Sequence, residues 1–398
     1  MTDKKGKRVK HQSDLPLWNL KDKTVLVRAD LNVPRTKDGT IRNDFRLKKS
    51  LPTLELIKSK GGTTVLLTHC GRPQHKEPEL STELFVDWFK QRNFNPIFCR
   101  NFEELHREIR TQKHNLIIFE NLRFFEGEKK NSSEFAQQLF EGADYFVQDA
   151  SAALHREHAS LIALPQLFES HKKTVGLLVE KELHVLDELL HHSEKPFVAI
   201  LGGNKIATKI PLIETLLEKI DVLLLCPALV FTFLKAQNHP IGNSLVDETQ
   251  LKHVKHILKK AEEKQVDIIF PLDYMVTKNS FEQAYPLHTV ERIAPGMTGI
   301  SIGQKTAQLF KQYILKADTV FLNGINGNPD YPESLEGMKT IFNALEQSAA
   351  HKIITGGDSL ALAQSLGHSE QMGTFLTGGG ASLTYLSGSP LASLLALS

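Results

Sequence analysis

The stretch Phe197-Val198-Ala199-Ile200-Leu201-Gly202-Gly203-Asn204-Lys205-Ile206-Ala207-Thr208-Lys209 decides how this chain folds. Its unbroken apolar run reads as a buried strand, the paired glycines as a turn, and the residues from Lys205 onward as the start of a helix. Strand, turn and helix in that order open a βαβ unit. Glycine lets the backbone approach a phosphate, and a helix start presents free N–H groups. Lys205 and Lys209 stand four apart, which predicts one shared helical face. This is not a Walker A loop, which requires GxxxxGK[ST]. Taken alone, the turn fits a structural role as well as a phosphate-binding one.

The same arrangement recurs on both sides. Residues 25–27 run into Arg28-Ala29-Asp30-Leu31-Asn32, residues 64–67 into Thr68-His69-Cys70-Gly71-Arg72, and residues 116–119 into Glu120-Asn121-Leu122-Arg123. Later, residues 353–354 run into Thr355-Gly356-Gly357-Asp358-Ser359, and residues 375–376 into Thr377-Gly378-Gly379-Gly380. Open α/β sheets bind ligands just beyond the carboxyl ends of their strands. The first half supplies arginines there, and the second half supplies glycines and lysines. That division predicts one site for a small polyanion and another for a nucleotide phosphate.

At 398 residues the chain exceeds one ordinary core, so two domains are expected. Its 48 basic and 46 acidic residues nearly balance, and no global field argues for nucleic acid. Cys70, Cys99 and Cys226 are too few and too scattered for a disulfide framework or a zinc site, which fits a reducing, cytoplasmic setting. The basic start, Lys4 to Lys10, precedes no apolar stretch and reads as a solvated tail rather than a signal peptide. No apolar run is long enough to span a bilayer.

Strand-like and helical runs alternate throughout, which predicts an α/β fold with parallel sheets. One early helix is expected to start at an N-cap Ser50, with Pro52 in its first turn and Gly61-Gly62 ending it. Others are expected at 133–140, 212–219, 249–264, 305–315 and 335–348. Leu183, Leu186, Leu189 and Leu190 give segment 178–192 an amphipathic pattern. It falls between the arginine-bearing and glycine-bearing halves and reads as a stiff interdomain helix. The expected domains are 1–177 and 193–383, with the tail 384–398 packing back on the first.

Arg46, Arg72, Arg123 and Arg156 are expected at or just after strand ends or turns. Each offers a planar fork of donors suited to carboxylate or phosphate. With His69 and His155 nearby they can hold a small molecule bearing two or three negative charges. Asp30 and Asn32 would orient the arginines or bind hydroxyls, although Asp30 also fits an ordinary turn. Asp358 can hold Mg²⁺ near phosphates or act only as a helix cap. The turn 378–380 can receive a phosphoryl group. No His or Cys pattern has zinc-ligand spacing, and no Ser/His/Asp or Cys/His set stands out.

Together these motifs resemble the phosphoglycerate kinase family. The similarity runs from about residue 20 to 395 in the family's motif order. It is carried by Val27-Arg28-Ala29-Asp30-Leu31-Asn32-Val33-Pro34, His69-Cys70-Gly71-Arg72-Pro73, Glu120-Asn121-Leu122-Arg123-Phe124 and His155-Arg156-Glu157-His158-Ala159-Ser160, with Ala199 to Lys209 and Thr377 to Ser382. The resemblance implies two Rossmann-like domains joined by a helix, a monomer and hinge closure. It implies reversible phosphoryl transfer between 1,3-bisphosphoglycerate and Mg-ADP, giving 3-phosphoglycerate and ATP. By motif match the acid-binding positions are Asp30, Leu31, Asn32, Arg46, His69, Cys70, Gly71, Arg72, Arg123 and Arg156. The nucleotide positions are Lys205, Lys209, Asn323, Asp330, Gly356, Gly357, Asp358 and Ser359, with Mg²⁺ on Asp358. Arg46, Lys205, Lys209, Gly379 and Gly380 would surround the transferring group. Small-molecule substrates are the implied partners, with no nucleic acid and no membrane.

The departures from the family pattern cluster on the nucleotide side. Cys226-Pro227-Ala228 stands where the family has a glycine triplet beside adenine. Asp330 takes the position of a ribose-binding Glu, Thr355 that of a glycine, and Ser151-Ala152-Ala153-Leu154 that of Phe-Gly-Thr-Ala. Near the acid site, Leu31 replaces an aromatic residue and Cys70 a leucine. Two readings remain open: a kinase with an altered nucleotide pocket, or a weakly active or inactive paralogue that binds a phosphorylated acid as a sensor or scaffold.

Overall fold

The computed structural model describes residues 11–36, 39–368 and 370–398. The basic N-terminal segment 1–10 lies outside the described residues. The chain divides into two units: one runs to Val185 and regains Pro390–Ser398, and the other is Leu186–Ser389.

The first unit is built on a parallel sheet of β1 (Thr24–Ala29), β2 (Thr63–Leu67), β3 (Pro96–Cys99), β4 (Leu116–Phe119), β5 (Tyr145–Asp149) and β6 (Lys173–Val175), in the order β3-β4-β2-β1-β5-β6. β1, flanked by β2 and β5, is buried along its whole length. Central strands covered on both faces read as continuous apolar runs, which is why they stand out in the sequence.

The first helix spans Phe45–Ser59, so it begins five residues before the expected Ser50. The side chain of Asn43 accepts the Phe45 amide at 2.9 Å, while Ser50 Oγ turns back to the Leu47 carbonyl at 2.7 Å inside the helix. Pro52 therefore sits in the helix interior, not in its first turn. Helix Leu177–His191 starts on Asp149, whose Oδ1 accepts the Leu178 and Val179 amides at 3.0 and 3.1 Å. The tail is tied into this unit. Gln148 Nε2 donates to Ser393 Oγ at 2.9 Å, and Lys173 Nζ to the Ala396 carbonyl at 3.0 Å.

The second unit carries β7 (Phe197–Gly203), β8 (Val222–Ala228), β9 (Asp267–Ile269), β13 (Thr319–Asn323), β14 (His351–Thr355) and β15 (Thr374–Leu376) in one parallel sheet, ordered β15-β14-β13-β7-β8-β9. This is the doubly wound order, reversing between β7 and β13. A three-stranded antiparallel sheet of β10 (Tyr274–Thr277), β11 (His288–Val290) and β12 (Thr298–Ile302) interrupts the alternation, and no periodicity in the sequence announces it.

Helices Leu251–Glu263, Gln304–Lys316 and Glu336–Gln347 lie within about two residues of expectation, and Ser133–Phe140 coincides with it. The helix start read from Lys205 onward and the helix expected at 212–219 are one element, Ile206–Leu216, which starts directly after the glycine turn and accommodates Pro211. Among the described residues no helix is long and apolar enough to cross a membrane. All three cysteines are free and buried.

Candidate active site

In the first unit, β1 delivers Asp30 to the carboxyl edge of the sheet. The Asp30 side chain is buried, and its Oδ2 accepts from Arg46 Nη1. Arg46 stands in the first turn of helix Phe45–Ser59 rather than after a strand or turn, a consequence of the early helix start. The Asn32 amide donates to Asp30 Oδ1 at 3.3 Å, and Asn32 Oδ1 accepts the Gly71 amide at 2.9 Å. Arg123, in the short turn after β4, donates Nη1 to the Gly71 carbonyl at 2.5 Å. Asn121 clamps the Cys70 main chain, accepting its N–H at 3.2 Å and donating to its carbonyl at 2.8 Å. One loop after β2 thus joins Asn32, Gly71 and Arg123. Arg72 on that loop and Arg156 after β5 are exposed.

Leu31 and Cys70, expected among the acid contacts, turn their side chains into the protein. Leu31 is held by its amide on Thr68 Oγ1 at 3.0 Å. Burial pushes the Cys70 thiol up to about 11, leaving it a neutral packing group.

Positive charge dominates here. Burial and the nearness of Arg28 and Arg156 lower Arg123 to about 10, so its neighbours disfavour its charge. Burial would raise the Asp30 carboxyl, but Arg46 and Arg28 more than offset it and hold it below the ordinary range. His69 is buried, and burial followed by Arg28 holds it far below the ordinary histidine value. Burial also lowers His155 to about 4, with Arg156 adding to the effect. Such a set attracts an anion that no protein carboxylate fully supplies.

The sequence reading passed over Arg28. It lies within β1, fully buried, with Glu128 as its charged neighbour from across the unit. A signal was present: an arginine inside an apolar strand requires a buried counter-charge.

In the second unit, the reversal of strand order lies between β7 and β13, where open sheets place their ligands. Lys209, on helix Ile206–Leu216, is buried there and donates Nζ to Asn323 Oδ1. Asn323 Nδ2 donates to the Thr355 carbonyl at 3.2 Å, and the Gly324 amide to Ser359 Oγ at 3.1 Å. The backbones are close: a Cβ on Gly324, whose φ is +96°, would lie 2.3 Å from the Gly202 carbonyl oxygen. No side chain fits that position.

Lys205 is exposed at the N-cap of the helix, so the expected shared face with Lys209 does not exist. Burial lowers the Lys209 ammonium to about 8, with Asp358 pulling it back up. Asp358 is exposed in the first turn of helix Gly357–Ser365, whose N-cap is Gly356 rather than Asp358. Gly379, at φ +49°, caps helix Gly380–Leu386, which packs on the helix bearing Lys209. Asp330 is exposed farther along, its amide on Asn328 Oδ1 at 2.9 Å. No hydrogen bond among the described residues links it to Lys209, Asn323 or Ser359.

A cavity of about 290 Å³ opens beside Asn204, Ala228, Leu229, Thr232 and Asp247. Ala228 ends the Cys226-Pro227-Ala228 segment. Among the described residues no group of three or more His, Cys, Asp or Glu can hold a metal by itself. An exposed carboxylate near a lysine does fit Mg²⁺ carried in on phosphates, because that ion takes one or two carboxylates and completes its octahedron with phosphate oxygens and water.

Comparison with known proteins gives a consistent result. A family profile described as "Phosphoglycerate kinase" matches residues 14–389. The chain is 36% identical to phosphoglycerate kinase of Bdellovibrio bacteriovorus over 95% of each chain. It is also 36% identical to that of Dictyoglomus turgidum, covering 95% of this chain and 96% of the relative. The solved phosphoglycerate kinase of Coxiella burnetii superposes with a TM-score of 0.80 at 31% identity, over 96% of this chain and 97% of that one. The Pyrococcus horikoshii structure gives 0.82 at 28% identity, over 97% and 98%. With its doubly wound second sheet, its arginine-rich first site and this likeness over nearly its full length, the chain belongs to the phosphoglycerate kinase family.

Proposed function

We propose that the protein transfers a phosphoryl group reversibly between 1,3-bisphosphoglycerate and Mg-ADP, giving 3-phosphoglycerate and ATP. The observation that carries this reading is the excess of guanidinium over carboxylate around Asp30, where Arg28 and Arg156 both oppose the charge of Arg123. An acid with a phosphate at one end and an acyl phosphate at the other answers that charge. Arg46, Arg72, Arg123 and Arg156 would bind its anionic groups, and Asp30, Asn32 and His69 its hydroxyl and carboxyl oxygens.

Lys209, Asn323, Ser359 and the backbone at Gly356 and Gly357 would receive the nucleotide phosphates, with Lys205 at the rim and Asp330 toward the ribose. Asp358 would hold Mg²⁺, which when bound neutralises phosphate charge. Phosphoryl transfer needs positioning and charge neutralisation more than covalent chemistry. Arg46, Lys209 and the amides of Gly379 and Gly380 would do this for the transferring group. An acyl phosphate hydrolyses in water, so a closing motion would precede transfer. We further propose a cytoplasmic monomer in which Mg-nucleotide and phosphoglycerate are the ligands.

A coupled kinase assay tests the reading. Wild type should turn over, and Lys209→Ala or Arg46→Ala should lose about 10²–10³ in rate. Equal rates in wild type and Lys209→Ala would reject it. The paralogue reading is favoured by one feature, the Ala228 side chain that lines the cavity after Pro227. It predicts binding of 3-phosphoglycerate without turnover.

A further inference from the structure

Beneath the arginine-rich site of the first unit runs a buried chain of polar groups that leads from Glu128 to His69. Glu128, in the single helical turn Glu126–Lys129, is fully buried. Its carboxylate accepts the Ser160 amide at 3.0 Å and the Ser160 hydroxyl at 2.7 Å. Ser160 Oγ in turn accepts from Arg28 Nε at 2.9 Å. Arg28 Nη2 lies 3.1 Å from His69 Nδ1. The backbone locks the geometry from both sides, with the Ala159 amide on the Glu128 carbonyl at 2.9 Å and the Leu122 amide on the Thr68 carbonyl at 3.1 Å.

The direction of every bond in this chain is set by its ends. An ionised carboxylate only accepts, so the Ser160 hydroxyl proton points at Glu128. The Ser160 oxygen is then left with lone pairs for Arg28. A guanidinium only donates, so His69 Nδ1 is the acceptor, and the ring proton resides on Nε2. His69 is thereby a neutral imidazole whose free edge is a donor. Reversing any one bond would leave a buried donor facing a donor.

We infer that Glu128 is a positioning residue for the acid site: by its charge and through Ser160 it holds the Arg28 guanidinium against His69, and Arg28, which can only donate, fixes the His69 tautomer so that Nε2–H is the group offered to substrate oxygen. Glu128 touches no substrate. Its charge is the larger of the two carboxylate charges that balance the buried Arg28, Asp30 being the other. The inference deepens the kinase reading and rests on it for the identity of the ligand, but the tautomer does not depend on catalysis.

The test uses the full chain and long-range nitrogen–proton NMR of the histidine rings, with the His69 signal assigned by its loss in His69→Asn. Wild type should show a neutral Nε2–H ring. Glu128→Gln removes the charge that holds Arg28 and lets the Ser160 hydroxyl turn toward the guanidinium, donor against donor, so Arg28 leaves His69 Nδ1. In that variant the Nε2–H signature should be lost or mixed. Calorimetric affinity for 3-phosphoglycerate should fall by about tenfold or more, while affinity for Mg-ADP stays unchanged. Ser160→Ala, which keeps the Glu128 charge and removes only the hydroxyl, should give a smaller change in the same direction and serves if Glu128→Gln does not fold.

An Nδ1–H or doubly protonated His69 in wild type would overturn the inference. So would unchanged tautomer and acid affinity in the variants, or equal losses for acid and nucleotide. Absence of turnover in wild type with the Nε2–H signature intact would count against the kinase reading and leave the relay standing.

Discussion

Lys209 Nζ is hydrogen-bonded to Asn323 Oδ1 and reaches the Asn323 carbonyl at 3.4 Å, so one side chain ties the helix after β7 to the end of β13 across the reversal of strand order. The ammonium is thus bonded to uncharged oxygens and not to a carboxylate.

That setting gives the enzyme a pH limit. Burial lowers Lys209 to about 8 from 10.5, against the pull of Asp358. If the charged form serves the reaction, kcat/KM for the nucleotide should fall as pH rises through about 8. The stability effect has the opposite sense. Between about 8 and 10.5 the unfolded chain binds the proton that the fold releases, so the Lys209 contribution to stability rises with pH there. A pH–rate profile of Lys209→Arg, whose charge persists at high pH, should show residual activity without the fall near 8.

Asp30→Asn should separate binding from stability. Its carboxyl lies below the usual 3.8, so its contribution to stability is complete above that value and is lost as pH falls through the lower folded one. The melting temperature of the variant should be lower at pH 7, by an amount equivalent to about 1–3 kcal/mol, and should converge on wild type under acid conditions. Affinity for 3-phosphoglycerate should drop while that for Mg-ADP is kept. Calorimetry with each ligand and melting curves at pH 3 and 7 check both parts.

The Ala228 side chain lines the cavity beside Asn204 and Leu229, and Pro227 restricts the backbone just before it. Mg-ADP should therefore bind more weakly than is usual for the family. Replacing both residues by glycine should tighten it several-fold, within the 1–3 kcal/mol typical of small changes in pocket shape. Ordinary tight binding by the unaltered chain, measured by calorimetry, would rule this out.

Gly176→Ala should destabilise the first unit. A Cβ there would come within 2.2 Å of Asp149 Oδ1, the atom that accepts the first amides of helix Leu177–His191. The capping carboxylate must shift, at a cost of about 1–3 kcal/mol. Urea denaturation should show the loss. An unchanged midpoint would mean that the cap tolerates displacement.

Much of this was legible in the sequence because it rests on local signals. Apolar runs ending in glycine or charge mark the strands, and the amphipathic spacing of Leu183, Leu186 and Leu189 marks the helix Leu177–His191. The helix start at Phe45 was missed because Ser50 and Pro52 look like a helix boundary, yet tertiary packing holds both inside the helix. The Arg28–Ser160–Glu128 chain was illegible because its partners lie far apart in sequence, and only the fold gathers them. Lys205 and Lys209 look equivalent by spacing. The helix start between them exposes one and buries the other.

The tail that completes the first unit is made about two hundred residues after the rest of it. Gln148 and Lys173 leave the ribosome with their bonds to Ser393 and Ala396 unmade, and they stay so while the whole second unit is translated. The first unit is thus sealed only after the second has been made, and a nascent chain halted before Pro390 would expose an unfinished edge to chaperones and proteases.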